Sequence, residues 1–296
     1  MNVEDHAKII VIIVMLIFGS IGVFIRNIAL SSAEIALLRA TIGSIFLIGS
    51  SLFFKQEYVF GSPKRDIPLL CISGAALGIN WIFLFQAYAS TSIANATLSY
   101  YFAPIFVIIL APPVLKERLT LIRVACVFIA LFGLFLIVKA GNSDPGPLYD
   151  HTRGITYGLL AAVFYASVTL MNKYIDSPNG FGNALVQLVS AALILLPYVL
   201  LKNGLSFSGV DANSLLLIFI VGILHTGIAY FFYFSAIKEL KGQTIAVLSY
   251  IDPVSAVIIA ALLLGEGLNL LQAVGGILIL GSTFFSEKLE PAGRAG

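Results

Sequence analysis

GQTIAVLSYIDPVSAVIIAALLLGEG, residues 242–267, is long enough to cross a bilayer as a helix, yet it holds Tyr250, Asp252 and Pro253 together near its middle. A carboxylate at that depth costs roughly 3 kcal/mol by insertion scales, so it is expected to face a cavity or a partner. Pro253 has no amide hydrogen, so the carbonyl of Ser249, four residues back, loses its helical partner and is free to bind something else. Prolines are common in membrane helices, and an acid can be a satisfied structural partner. The two within one turn mark this stretch as a functional site.

The composition around that stretch is that of a polytopic membrane protein. Of 296 residues, 59% are hydrophobic and 11% are charged, and the mean hydropathy is +1.00; soluble domains carry about 25% charged residues. At about 20 residues per span the length accommodates nine to eleven helices and no sizeable soluble domain. The net charge of +2 contains no basic run, which gives nucleic acid nothing to bind. Cys71 and Cys126 sit inside apolar blocks as small hydrophobes, so neither a disulfide nor a metal site is expected, and no cofactor motif is present. The apolar run Ile9–Ile25 is longer than a signal-peptide core and lacks a small-residue cleavage site, so it reads as a retained first helix.

Apolar blocks and Gly/Pro breaks predict ten spans: 8–27, 33–54, 67–89, 93–115, 120–139, 153–175, 180–201, 213–237, 242–264 and 268–286. Of the 17 lysines and arginines, twelve fall on the side of the N-terminus and the even-numbered connections. Arg26, Lys139, Arg153 and Lys202 fall on the other, and Arg39 lies inside span two. That bias places both termini in the cytoplasm.

Residues 98–123, LSYYFAPIFVIILAPPVLKERLTLIR, match 248–272, LSYIDPVSAVIIAALLLGEGLNLLQ. Pro104 pairs with Pro253, Glu117 with Glu266 and Arg123 with Gln272, each 149 positions apart. A fainter echo joins GSIGVFIRNI at 19–28 to ASVTLMNKYI at 166–175, with Arg26 opposite Lys173. The expected fold is therefore an all-α polytopic membrane protein of ten transmembrane helices in two five-helix repeats. Repeat one covers 1–140, an external linker 141–152, repeat two 153–286, and a cytoplasmic tail 287–296. Five is odd, so the second copy enters from the opposite face and the repeats are inverted. Two such copies that exchange conformations open a central cavity to alternate sides, and the paired prolines point to where it lies.

The two LSY…P…E segments are each followed by a Gly-containing aliphatic helix, VACVFIALFGLFLI at 124–137 and AVGGILILGSTFF at 273–285. Together with HTGIAYFFYFSAI at 225–237 and LLRA at 37–40, they make the chain resemble the EamA family of the drug/metabolite transporter superfamily. The resemblance runs from about Ile9 to Phe285 and implies a secondary transporter of the bacterial inner membrane that works by alternating access. Members of the family include exporters of amino acids and other small metabolites, and the superfamily also holds nucleotide-sugar and sugar-phosphate carriers. Glu117 and Glu266 match the family's acid at the end of the fourth helix of each repeat; Glu117 departs in lying within the basic context KER.

The candidate substrate-binding residues are Asn80 and Trp81 in span three, Tyr100 and Tyr101 in span four, Tyr165 in span six, His225 and Tyr230 in span eight, and Tyr250 and Asp252 in span nine. Pro104 and Pro253 are the candidate hinges. Asp252 has no counterpart in the first copy, which makes it the candidate proton carrier, with His225 as its expected partner. Glu117 and Glu266 are expected to accept backbone hydrogens at the start of the following helix. Arg39 serves either to snorkel and pair or to meet substrate. Ser20, between Gly19 and Gly22, is a packing residue, as are Gly275, Gly276 and Gly281, whether within or between chains. Monomer and homodimer are both compatible with the sequence.

A cavity lined by aromatics with few charges suits an amino acid or similar amphipathic solute. A nucleotide sugar or phosphate ester would need several mid-depth cations, and Arg39 is alone. Intramembrane aspartyl chemistry needs a second acid at the same depth, and no metal-binding His pair or nucleophile elbow is present, so an enzyme is not expected. The partners are the bilayer and a small molecule. The alternatives are a carrier of nucleotide sugars or phosphorylated metabolites and, outside the carriers, a channel or receptor.

Overall fold

The computed structural model describes residues 3–53, 64–115, 120–143, 150–177, 179–202, 210–236, 239–240 and 242–288. It is a bundle of helices: α1 (Val3–Arg26), α2 (Ser32–Phe53), α3 (Ile67–Ser90), α4 (Ile93–Tyr100), α5 (Ala103–Leu115), α6 (Leu121–Ser143) and α7 (His151–Asn172). After these come α8 (Gly180–Lys202), α9 (Ala212–Ile220), a π segment (Val221–Ile228), α10 (Ala229–Ala236), α11 (Gly242–Ser249), α12 (Ile251–Leu264) and α13 (Leu270–Lys288). Among the described residues, eight stretches are long and apolar enough to span a membrane, and Ile251–Leu264 and Leu270–Phe285 are shorter apolar helices, so the ten expected spans are helical. No strand is present among the described residues. The outer surface is apolar, with Leu121 88%, Leu201 87% and Leu262 78% exposed, which only lipid can accommodate on this scale.

Spans four and nine are each broken where the sequence places its proline. Pro104 has no amide for Tyr100, and the chain turns through 101–102 between α4 and α5. Pro253 sits in the first turn of α12, where the missing donor costs nothing, and the break falls at Tyr250. Span eight differs from the continuous helix expected: its middle is a π segment carrying His225 and Thr226. The helices also run into the predicted linker, α6 to Ser143 and α7 from His151. Glu117 and residues 289–296 of the tail lie outside the described residues.

Helix starts follow capping chemistry. Ser92 accepts from the Asn95 amide at 3.2 Å and Asp211 from the Ser214 amide at 3.0 Å. Asn269 and Gln272 form a reciprocal box at the start of α13, each side chain accepting from the other's backbone amide at 2.9 Å. At the end of α12, Gly265 takes a left-handed φ of 66° that a side chain would resist, and the turn throws Glu266 back across the bundle. Gly275 and Gly276 pack within the chain, on Gly133 and Leu98, whereas Gly281 has open space beside it.

The hydroxyl and amide of Ser214 hold the Asp211 carboxyl below the ordinary carboxylate range. The ionised form is the one that caps, so its contribution is complete above the unfolded value and is lost as pH falls through the lower folded value. Asp211→Ala is expected to lower the thermal midpoint in detergent at neutral pH, and the gap to the parent should close in acid. A gap that does not narrow would refute the cap's role.

Candidate functional site

The broken helices of spans four and nine meet at mid-depth around a cavity of about 390 Å³, a size that suits small-molecule sites. Its walls come from α1 (Met15, Phe18), α3 (Leu77), the α4–α5 break (Tyr100, Tyr101, Ala103, Pro104) and α7 (Tyr165, Val168, Thr169, Asn172). The remainder is α8 (Ala184, Gln187), α10 (Tyr230, Tyr233, Phe234) and the α11–α12 break (Ser249, Tyr250, Asp252). Eight of these nineteen residues are aromatic, and among them Asp252 is the single formally charged group.

Asp252 stands where the break in span nine points it at the break in span four. Tyr101 donates its hydroxyl to Asp252 Oδ2 at 2.6 Å. Tyr100 stands edge-on to Tyr101, with ring centroids 5.8 Å apart at 86°, and Tyr165 follows at 5.5 Å from Tyr100. Phe18 closes the opposite wall against Tyr230 and Tyr233 at 5.8 and 6.3 Å. Helix α1 can come this close to α12 because Gly19 lies directly on it: a Cβ there would stand 2.7 Å from the Asp252 carbonyl oxygen and overlap the Ser255 hydroxyl.

Of the residues singled out in the sequence, Tyr100, Tyr101, Tyr165, Tyr230, Tyr250, Asp252 and Pro104 line this cavity, and Pro253 is buried in α12 beside it. Asn80, Trp81 and His225 do not line it. Asn80 is fully buried, tying α3 to α7 through its amide and the Ala161 carbonyl at 2.6 Å. Trp81 lies under the Arg39 guanidinium, 4.3 Å from ring centroid to Cζ, and Arg39, only 5% exposed, donates to the Thr226 hydroxyl at 2.7 Å.

His225 is sealed in the π segment against Phe24, and its Nε2 meets Ser20 Oγ at 2.9 Å. Ser20 Oγ also meets the Ile17 carbonyl at 2.8 Å, so the serine links His225 to the backbone of α1. The expected Asp252–His225 partnership is therefore corrected: Tyr101 is the partner of Asp252 and Ser20 that of His225, so Ser20 does more than pack.

The structure adds lining residues outside the candidate set: Phe18, Thr169, Asn172, Gln187, Tyr233, Phe234 and Ser249. Gln187 donates to Asn172 Oδ1 at 2.7 Å and to Ser73 Oγ at 2.9 Å, joining α7, α8 and α3 below the cavity. An amide in each of two adjoining apolar spans was the available signal.

Thr169 and Asn172 lie at the end of α7, Gln187 in the early turns of α8 and Phe234 near the end of α10, so the cavity occupies the half of the bundle nearer the 173–179 connection. The other half is knotted shut. Arg26, at the end of α1, pairs with Glu266 and donates to the Thr91 carbonyl and, at 2.8 Å, to the Tyr88 carbonyl. The second Glu266 oxygen accepts the Ile93 amide at 2.8 Å. Glu266 does accept a backbone hydrogen at a helix start, but at α4 rather than at the helix that follows it, because the Asn269–Gln272 box already caps α13. Alongside, Asn95 accepts from Gln272 at 3.0 Å, and His151 Nδ1 lies 2.7 Å from the Thr91 hydroxyl.

The model of the EamA-like transporter family matches residues 7–139 and again 152–287. A Bacillus subtilis protein named "Uncharacterized transporter YxxF" is 30% identical over 276 residues, covering 93% of this chain and 88% of the relative. "Uncharacterized inner membrane transporter YicL" of Salmonella typhimurium is 25% identical, covering 92% of each chain. "Solute carrier family 35 member G1" of Mus musculus is 25% identical across 82% of this chain and 67% of its own. A solved crystal structure superimposes with a TM-score of 0.63 at 21% identity, covering 98% of this chain and 99% of the other, which places the fold.

Proposed function

From the premise that this chain, an integral membrane protein, belongs to the EamA-like transporter family, we propose that it is a secondary carrier of a small amphipathic metabolite, an amino acid or a close analogue. The cavity carries the reading: it is walled by aromatic rings around Asp252 and lies in one half of the bundle, while the other half is closed by the Arg26–Glu266 knot. The knot ties α1, α3 and α4 of the first matched segment to the α12–α13 connection of the second, the kind of contact that two inverted repeats exchange during alternating access. With both termini in the cytoplasm, as the distribution of Lys and Arg supports, the cavity loads from the cytoplasm and the knot lies at the external face, which favours export. Among the described residues the lining contains no Lys or Arg, which favours this class over phosphorylated solutes.

Counterflow in proteoliposomes tests the reading. Purified protein should take up labelled amino acid saturably, with acceleration by unlabelled amino acid inside. Non-saturable flux would make it a channel, and no flux with any amino acid or amine would overturn the proposal.

Asp252 is the coupling group in this reading, with Tyr101 holding one oxygen. A pH gradient should concentrate solute in the parent but not in Asp252→Asn. Undiminished accumulation by the variant would remove Asp252 from coupling.

A further inference from the structure

We infer that the charged subsite of the cavity takes an ammonium group, and so selects amines over amino acids and carboxylic acids; this rests on the carrier reading above for its biological use but not for its chemistry. Tyr101 occupies Asp252 Oδ2, whereas Oδ1 has no hydrogen-bond partner among the described residues and is not among the sealed polar atoms. That oxygen is left to the cavity that Asp252 lines.

Around it stand Tyr100, Tyr101 and Tyr165, all within electrostatic reach of the carboxylate, with adjacent ring centroids 5.5 and 5.8 Å apart. An anion at one wall attracts a cation, and aromatic rings beside it add to that attraction where a ring centroid comes within about 6 Å of the cation.

Among the described residues, no complementary group for a carboxylate lines the cavity: none of the lining residues is Lys, Arg or His. Arg39 is 5% exposed, spent on Thr226 and stacked on Trp81, and it stands outside the lining. The carboxylate of an amino acid would therefore lose water without a cation to receive it, and would bring a second negative charge beside Asp252. The apolar walls offered by Phe18 and Tyr230 suit an aryl or alkyl tail. The ligand class is a primary or substituted amine with one such tail.

Three probes with the same ring separate the possibilities: tyramine, tyrosine and 3-(4-hydroxyphenyl)propionate, titrated calorimetrically into the purified full chain at neutral pH. A hydrogen bond to a charged group discriminates by about tenfold to a hundredfold. Tyramine should therefore bind at least about tenfold more tightly than either of the others. Asp252→Asn should remove that advantage by weakening tyramine, while the propionate, freed of the like charge, binds no more weakly than to the parent.

The order of affinities in the parent stands as evidence even if the variant fails to fold. Equal or tighter binding of tyrosine or the propionate overturns the inference, as does no tyramine binding by the parent or undiminished tyramine affinity in a folded Asp252→Asn. Tyramine binding in the expected order without counterflow of tyramine or any amino acid would sink the carrier reading and keep the subsite. Counterflow of an amino acid without amine preference would do the reverse.

Discussion

Arg26→Ala is expected to open the knotted half of the bundle. The side chains of Arg26 and Glu266 are 17% and 10% exposed, so the pair is largely out of water. Removing one partner of such a pair strands the other charge, at about 3–5 kcal/mol when burial is complete; the residual exposure argues for the lower end. About 3 kcal/mol is a shift of roughly a hundredfold in a two-state equilibrium.

Thr97 reports it, because it is 2% exposed and lies on α4 between Ile93 at the knot and Tyr100 at the cavity. With Cys71 and Cys126 replaced, Thr97→Cys should react slowly with an impermeant maleimide added on the Glu266 side. The Arg26→Ala background should accelerate that reaction by one to two orders of magnitude. Glu266→Gln keeps an acceptor for the Ile93 amide and removes only the charge, so the double variant should be little faster than the faster single. Unchanged labelling in Arg26→Ala, or rates that multiply across the two changes, would show that the pair does not hold the two segments together.

The breaks in spans four and nine were legible because proline acts through local chemistry, removing a donor from a particular carbonyl wherever it stands. Depth was legible too, and it selected the tyrosines around Pro104 and the Tyr250–Asp252 pair. Azimuth was not. In a helix that is apolar all round, the hydrophobic pattern does not say which face looks inward, and Asn80, Trp81 and His225 stand outside the cavity lining.

The partner of Asp252 depends on how α12 crosses α4, which no local signal encodes; hence Tyr101 rather than His225. The π segment around His225 is hidden for the same reason, since widening one turn leaves an apolar sequence apolar. Glu266 is the reverse case. Asn269 followed by Gln272 is a readable capping box, and reading it would have released Glu266 from capping α13 and pointed it elsewhere.

The same chemical change at two glycines should have opposite effects. At Gly19 a methyl group meets the Asp252 carbonyl oxygen at 2.7 Å and the Ala256 nitrogen at 3.0 Å as well as the Ser255 hydroxyl. Two of these are backbone atoms of α12 and cannot rotate away, so helix α1 or α12 has to move. Overpacking of this kind costs about 1–3 kcal/mol, against which the better helix propensity of alanine returns at most about 1 kcal/mol. Movement of α12 carries Asp252 with it and lengthens the 2.6 Å contact with Tyr101, and movement of α1 withdraws the wall that holds Phe18.

At Gly281, in α13, a methyl group meets nothing within 4 Å, and only the propensity gain remains. Gly19→Ala should therefore lower the thermal midpoint in detergent and weaken solute binding, whereas Gly281→Ala should hold or raise the midpoint with binding unchanged. Equal midpoints for the two variants would mean that the α1–α12 crossing yields freely, and Asp252 would then not be positioned by the close approach of Gly19.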